Sequence, residues 1–584
     1  MDRDPDAVVE SAGLPVADSG ARLAFALGSV LAFVAAFVAL HRLTLDDAYI
    51  ALRYASNAAH GNGLVYNLGE KIEGYTSFLW VVLEVPAFLL GLSPVAWVKA
   101  LGAVSALLTA RCAWRLHTRI SESGISALAA ACSALPLAVP WVALSAASGL
   151  EDCLAMLLVT WMAERLVAEA QQPGRGFPWS AVLAGLLVLT RPDFVLFLPV
   201  VVLVQAATLR TPRYSAAWFA VAGVIVAVHL GWRHHYYGYW VPNTFYAKGG
   251  GHPDQLLSGV VSSAYFALYS GAWVLPALLA VRRPGVAATA RYPIALLVSL
   301  ITCRYAFNVW SGGPTIGYHR FLVPVLPITG VVIALIADAP GAARKLRRAA
   351  AFAAAIGVLG LVAWTYSRGL RGHTVANAEG LERAHVALGR LVARSTTPDA
   401  VIAMDDAGAA PFFGGRTTID MAGLNDAHIA HRPGRFMRDK YDTDYVLGRE
   451  PDIIVLIADG PQPRGDSSGY RLASHRRLVT SSRFQSSYTL AKVFRAGDGY
   501  YLQAYRRTAS QRLDLTQWGQ APQPGPGASP PESPIAPTPQ GGRRSPRMRA
   551  PARRRTVRST TRSPGCSTHG HSTPRPRSQP PAAP

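Results

Sequence analysis

Long apolar runs, each about the length a bilayer requires, recur along this chain from Arg22 to Trp364 with short polar breaks between them. The pattern predicts spanning helices near Arg22–Leu40, Val95–Trp114, Ile125–Leu144, Leu150–Leu166, Trp179–Leu189, Phe194–Leu209, Ala216–His234, Leu256–Val281, Pro293–Val309, Phe321–Ala337 and Ala349–Trp364, about eleven in all. Two runs are too short for the task. Phe78–Leu92 has about 15 residues, against the ~20 needed to cross, and contains Glu84 and Pro86, so it reads as an interfacial or re-entrant helix. Trp179–Leu189 is expected to end inside a cavity, with Arg191 and Asp193 at depth.

Between the first two apolar runs lies a polar, aromatic, carboxylate-rich stretch, Leu45–Phe78. Asp46 and Asp47 follow Thr44 and open AYIALRYASNAA, a run without Gly or Pro, so they are expected at the N-cap and first turn of a helix along the membrane surface. Three- and four-residue spacing puts Asp46, Ile50, Arg53, Tyr54 and Asn57 on one face, and Gly61-Asn62-Gly63 stops the helix.

After Arg368 the pattern changes to that of a small α/β domain. A helix is expected over Glu382–Arg394, strands at VIAMDD and DIIVLI, a second helix near Phe436–Leu447, and a hairpin of YTLAKVF and YYLQAYRR around an Arg-Ala-Gly-Asp-Gly turn. From Gln511 the Pro/Arg/Ser/Gly composition cannot bury a core and reads as a disordered, solvated tail. The expected organisation is a cytoplasmic segment 1–21, a membrane domain 22–367 with its first large loop at 42–94, a soluble domain 368–510 and a tail 511–584.

Composition supports this picture: 50% hydrophobic and 16% charged residues, with a mean hydropathy of +0.20, describe a polytopic α-helical membrane protein. The net charge of +22 invites a nucleic-acid reading, but the tail holds 12 Arg against Asp514 and Glu532 and so carries +10 of it. Much of the rest sits in short loops around Arg111–Arg119, Arg165–Arg175, Arg210–Arg213, Arg282–Arg291 and Arg344–Arg348, where it orients the protein. These loops share one side only if Phe78–Leu92 does not cross. That side is then cytoplasmic, and the carboxylate loop and soluble domain face outward. A cleaved signal peptide is not expected, because no basic segment precedes the first apolar run. The five cysteines have neither a disulfide framework nor metal-ligand spacing.

Ionisable residues at membrane depth mark function by default. Here they gather on the outward side: Asp46, Asp47, Glu73, Glu151, Arg191, Asp193, Lys248, Arg304, His319 and Arg320. Cations suit a lipid phosphate, and carboxylates suit a metal ion or a proton to be removed. Together they describe sugar transfer from a lipid phosphate, in which the leaving phosphate needs positive charge and the acceptor hydroxyl needs a base. Each residue also has a plainer role open to it. Asp46 or Asp47 could cap the helix, though capping explains one carboxylate and not two; Glu73 could bridge Arg53 or Lys71; Arg320 and Lys248 could be interfacial or solvated cations. His234 and His235 lie in an aromatic belt that suits anchoring, and Asp405, Asp406, Asn425, Asp426 and His428 could fix loops in the soluble domain or bind the acceptor glycan, with loop fixing favoured.

DDAYIALRYASNAAHGNGLVYNLGEKIEGYTSFLW, SGLE at Ser148–Glu151, LTRPD at Leu189–Asp193, YGYWVPNTFYAK at Tyr237–Lys248, GGPTIGYHRFLVPVLP at Gly312–Pro327 and DAGAAPFFGGRTTIDMAGLNDAHIA at Asp406–Ala430 stand in order over about residues 22–510. They resemble the membrane arabinofuranosyltransferases of mycobacteria and related actinobacteria, most of all the terminal β-(1→2) arabinofuranosyltransferase family of the C-type glycosyltransferase (GT-C) fold. The resemblance implies a plasma-membrane enzyme, a decaprenyl-phosphoryl-arabinose donor, and the non-reducing ends of cell-wall arabinan, in arabinogalactan or lipoarabinomannan, as acceptor. The expected catalytic residues are Asp46 and Asp47. The substrate-binding candidates are Arg53, Glu73, Tyr75, Glu151, Arg191, Asp193, Asn243, Tyr246, Lys248, His319 and Arg320. A divalent cation, Mg or Mn, stays open as a cofactor, held by Asp46 or Asp47. The expected partners are the polyprenyl-phosphate sugar, the polysaccharide acceptor and the bilayer, with no nucleic acid. Two alternatives remain: a transferase of the same fold using another sugar such as mannose, and a lipid-linked sugar transporter. The one-sided ions and the lack of an internal repeat favour an enzyme.

Overall fold

The computed structural model describes residues 17–121, 136–172, 176–249, 253–270, 290–314, 319–338, 345–346, 348–349, 360, 371–436, 439–463 and 467–519. The segment before Ala17, most of the spans expected at Ile125–Leu144 and Ala349–Trp364, the second half of Leu256–Val281, Tyr318 and the tail from residue 520 lie outside the described residues.

The membrane part opens with α1 (Ala17–Ala39) and then the polar helix α2 (Asp46–Ala59). It continues through α3 (Phe78–Leu89), α4 (Pro94–Ile120), α5 (Pro140–Ser148), α6 (Asp152–Ala170) and α7 (Trp179–Thr190). After a 3-10 turn at Pro192–Leu196 come α8 (Phe197–Thr208), α9 (Pro212–Tyr237), the short α10 (Asn243–Lys248), α11 (Pro253–Ser270), α12 (Arg291–Ser311) and α13 (Leu326–Asp338). Among the described residues α4, α9 and α12 are long and apolar enough to cross a bilayer. The pair α5 and α6, bent by 119°, makes up to a fourth span. Apolar helices of 10–17 residues account for Ala26–Ala39, Phe78–Leu89, Trp179–Thr190, Pro192–Thr208, Gln255–Leu268 and Val323–Ala337. The expected count of about eleven is not reached among these residues, since several expected spans lie wholly or partly outside them and others are apolar helices of 10–17 residues. At about 1.5 Å per residue, α3 is roughly 18 Å long, too short for a hydrocarbon core of about 30 Å.

The C-terminal part is a five-stranded sheet of order β2-β1-β3-β5-β4. Its strands are β1 (Val401–Met404), β2 (Thr417–Asp420), β3 (Ile453–Ala458), β4 (Tyr488–Gly497) and β5 (Tyr500–Arg507). β1 runs parallel to β2 and β3, while β5 is antiparallel to β3 and β4. β3 is apolar throughout because it is covered on both sides: Ile453 and Val455 enter one core, Ile454 and Leu456 the other. The helix expected over Glu382–Arg394 is a π turn at Leu381–Val386 leading into a helix at Ala387–Ser395. The second expected helix shortens to Thr443–Gly448, capped by Asp442.

The disorder expected from Gln511 does not hold for Gln511–Trp518. Leu513 bridges Thr396, and Trp518 is fully buried in the sheet's core, its indole N–H donating to Ser395 Oγ at 2.8 Å. One buried aromatic anchor outweighs the polar composition around it.

Candidate functional site

The site is built around α2. Leu45 holds the N-cap position, so Asp46 and Asp47 are the first two helical residues and neither caps the helix with its side chain. The start of α2 is fixed by Leu45 N–H donating to Ser148 O at 3.0 Å. It lies hard against the elbow between α5 and α6: Gly149 has φ +85°, and a Cβ there would lie 2.9 Å from that of Ala48. This contact brings Asp47 within electrostatic reach of Glu151.

The face predicted from spacing is real, but its partner is the C-terminal domain and not water. Ile50 and Tyr54 pack with Ala407, and Tyr49 packs with Ala409. Asp46 accepts from Gly408 N–H (3.0 Å) and Ala409 N–H (2.7 Å). Arg53 donates to Tyr66 O (2.8 Å), Asn67 Oδ1 (3.2 Å), Pro411 O (2.7 Å) and Arg416 O (2.7 Å). Tyr54 Oη accepts from Gly74 N–H (2.8 Å) and lies 3.0 Å from Asn425 Oδ1, while Asn67 pairs with the backbone of Thr418. Arg53, expected to bind substrate, has its buried guanidinium on these carbonyls and links α2 to the C-terminal domain.

Glu73, Tyr75 and Asn243 belong to the same docking layer. Glu73 pairs with Arg233 at 2.7 Å, and its carbonyl accepts from Asn243 N–H. Asn243 Nδ2 faces the carbonyls of Gly423 (3.0 Å) and Leu424 (2.9 Å), and Tyr75 Oη lies 3.0 Å from Tyr237 Oη. Burial pushes the Glu73 carboxyl up to about 7 although Arg233 pulls the other way. Tyr246 packs on His431, with ring centroids 4.2 Å apart.

Asp47 faces elsewhere. Half-buried, it lies within electrostatic reach of Lys248, Arg320 and Glu151. Burial raises its carboxyl above the ordinary aspartate value, while Lys248 and Arg320 draw it back. Asp46 is pushed up to about 6, first by burial; His385 opposes the rise and Asp406 adds to it.

Behind Asp47 runs a chain of buried ions drawn from the breaks at Glu151–Asp152, Arg191–Asp193 and Arg320, and from Arg304 within α12. Arg320 donates to Glu151 (2.8 Å) and Asp152 (3.4 Å), Arg191 to Glu151 (2.7 Å) and Asp193 (3.2 Å), and Arg304 pairs with Asp193. Three arginines meet three carboxylates, so the buried cluster is formally neutral. Phe194 and Phe321 stack on Arg304 and Arg191 respectively. Arg320 keeps 15% of its side chain exposed and lines a small cleft with Leu45, Leu144, Ser145, Ser148, Leu150 and Asp152. It is presented by His319, a non-glycine residue at φ +52° whose ring packs on Trp141 and Phe266 and whose carbonyl accepts from Leu322 N–H and Val323 N–H.

Among the described residues no three His, Cys, Asp or Glu side chains gather as a metal ion would need. Asp46 is turned to backbone N–H groups, Glu151 and Asp152 are ion-paired, and cations flank Asp47, so this donor set does not fit a divalent ion.

Two residues that sequence reasoning passed over stand under Asp46. His385 Nε2 lies 2.8 Å from Asp406 Oδ2, and Tyr500 Oη donates to the same oxygen. The paired carboxylate and Asp46 hold His385 above its ordinary value against the opposing effect of burial. Neither residue carried a signal, since His385 sits in an ordinary amphipathic stretch and Tyr500 in an alternating strand.

Residues 373–510 match a family described as a domain of unknown function, DUF8728. The chain is 30% identical over 256 residues to the terminal β-(1→2)-arabinofuranosyltransferase of Mycobacterium tuberculosis, a match covering 41% of this chain and 40% of that protein. The chain thus spans well under half the length of the curated relative it matches. ArnT from Cupriavidus metallidurans bound to undecaprenyl phosphate superposes with a TM-score of 0.56 at 15% identity, over 84% of this chain and 99% of that one. Its apo form gives 0.55. The resemblance read in the sequence is therefore met from both directions: the homologue is a terminal arabinofuranosyltransferase, and the architecture is the GT-C fold of ArnT, with the apolar helices of a multi-pass membrane protein.

Proposed function

We propose that this protein transfers arabinofuranose from decaprenyl-phosphoryl-arabinose to the non-reducing ends of cell-wall arabinan, on the outer face of the membrane. The observation that carries the reading is that Lys248 and Arg320 lie within electrostatic reach of Asp47, with Arg320 also lining a small cleft beside Leu45, Leu144 and Leu150. The likeness to the mycobacterial terminal arabinofuranosyltransferase supports the sugar, and that to ArnT bound to undecaprenyl phosphate supports a polyprenyl-phosphate donor.

In this reading the phosphate of the donor enters beside Lys248 and Arg320. As the bond from the anomeric carbon to the phosphate oxygen breaks, the electron pair stays on the phosphate, and the two cations meet the added charge. The acceptor hydroxyl oxygen forms the new bond, and its proton passes to Asp47. A β donor and a β product require the acceptor to enter on the face the phosphate leaves. That happens either directly or after Asp47 has formed a glycosyl ester, which the acceptor then displaces. Glu151, Asp152, Arg191, Asp193 and Arg304 hold Arg320 and the elbow in place, and His319 aims Arg320 outward.

The test is transfer from a panel of defined polyprenyl-phosphate sugars to an arabinan oligosaccharide by the purified protein. Turnover is expected with the arabinofuranosyl donor, with mannosyl and aminoarabinosyl donors slow. Equal use of a mannosyl donor would overturn the sugar assignment, and turnover with none of the donors would overturn the activity.

A further inference from the structure

Asp46 and Asp47 are adjacent in sequence but point to different partners. Both carboxylate oxygens of Asp46 are taken by successive backbone N–H groups of the C-terminal domain, Ala409 at 2.7 Å and Gly408 at 3.0 Å. Those groups open the six-residue helix Ala409–Gly414, and Arg53, seven residues on from Asp46, takes the carbonyls of Pro411 and Arg416 near its other end. Anion at the N–H end and cation at the carbonyl end match the polarity of that helix. The loop leading into it is fixed from beneath, where Asp406 is held by His385 and Tyr500. The approach is close enough that a Cβ on Gly408 would run into the backbone of Asp46, 2.6 Å from its carbonyl carbon, although Gly408 itself has a negative φ of −97°.

We propose that Asp46 is a positioning residue through which the C-terminal domain sets the attitude of α2 and so presents Asp47 to the donor. The inference rests on the reading of Asp47 as the reacting carboxylate. It makes the C-terminal domain a working part of the transfer site. A shift of about 1 Å in the placement of a reacting group can cost about 10²-fold in rate, so loosening this latch should appear in kcat and leave donor binding alone.

The experiment compares four full-length variants, Asp46→Asn, Asp46→Ala, Gly408→Ala and the double Asp46→Ala/Gly408→Ala, by kcat and donor KM, with thermal unfolding to show that each folds. Asn still offers one acceptor oxygen to the two N–H groups, so Asp46→Asn should stay within about 10-fold of wild type, while Asp46→Ala should fall by about 10²-fold in kcat with KM unchanged. Gly408→Ala leaves both carboxylates in place and should fall about as far. Because both changes open one latch, the double variant should be no slower than the slower single. The inference is overturned if Asp46→Asn is as inactive as Asp46→Ala while Gly408→Ala turns over like wild type, or if the two alanine effects multiply. Should Gly408→Ala not fold, the Asn and Ala variants at position 46 decide alone, since a chemical base would tolerate neither. Activity in Asp47→Asn would instead sink the underlying reading of the site, so the two failures are distinct.

Discussion

Replacing Arg53 by Ala removes a buried cation whose hydrogen bonds reach the carbonyls of Tyr66, Pro411 and Arg416 and the side chain of Asn67. Hydrogen bonds to a charged group contribute about 1.5–3 kcal/mol each, and bonds sharing one donor group are not additive. Taking the lower figure for the two carbonyls that belong to it, Pro411 and Arg416, the docking of the 407–418 segment on α2 should weaken by about 3 kcal/mol, or roughly 10²-fold in the local opening equilibrium. Amide hydrogen exchange of the purified protein, read by mass spectrometry, measures that equilibrium directly. Exchange across Ala407–Thr418 should accelerate by about that factor, while that of the fully covered strand Ile453–Ala458 should change far less, and donor binding should survive. If exchange is unchanged and donor binding is lost, Arg53 is a substrate ligand, as its sequence neighbourhood suggested, and the docking argument fails.

Two further outcomes follow from the charges. Because Asp47 must be ionised to take a proton, the transfer rate should fall as pH drops through its raised pKa. Lys248 and Arg320 lower that pKa, so Lys248→Ala should move the acid limb of the pH–rate profile to higher pH; an unmoved limb, or one moved lower, contradicts the assignment. Arg320→Ala strips Glu151 and Asp152 of one cation in a buried cluster, at a cost of about 3–5 kcal/mol in stability as well as a loss of donor turnover. Adding Glu151→Gln should recover thermal stability and not turnover, and recovery of both would make Arg320 purely structural.

Much of this arrangement was legible from local pattern. The carboxylate pair opening a Gly-free helix, the shared face of Asp46, Ile50, Arg53, Tyr54 and Asn57, the short Phe78 helix and the hairpin all follow from spacing over a few residues. What spacing could not give is the partner. Arg53 meets Pro411 across 358 positions and Arg320 meets Glu151 across 169, and a buried cation looks the same in sequence whether a carbonyl, a carboxylate or a phosphate neutralises it. Hence Arg53 and Asn243 read as substrate ligands, while the structure shows both bonded to carbonyls of the C-terminal domain. β2 escaped notice for another reason: four residues following Gly414-Gly415-Arg416 make no alternating pattern, and the strand exists because it pairs with β1. Trp518 likewise sits in polar, turn-rich sequence, and only its burial against Ser395 reveals it as part of the domain.

The central claim is that Asp47, and not Asp46, acts on the reacting atoms. Single-turnover transfer from decaprenyl-phosphoryl-arabinose, with donor binding measured separately, tests it with Asp47→Asn beside Asp46→Asn. Asp47→Asn should bind donor like wild type and lose about 10²–10⁴-fold or more in transfer, while Asp46→Asn keeps most of its rate. Transfer by Asp47→Asn at the wild-type rate, or a larger loss in Asp46→Asn than in Asp47→Asn, would contradict it.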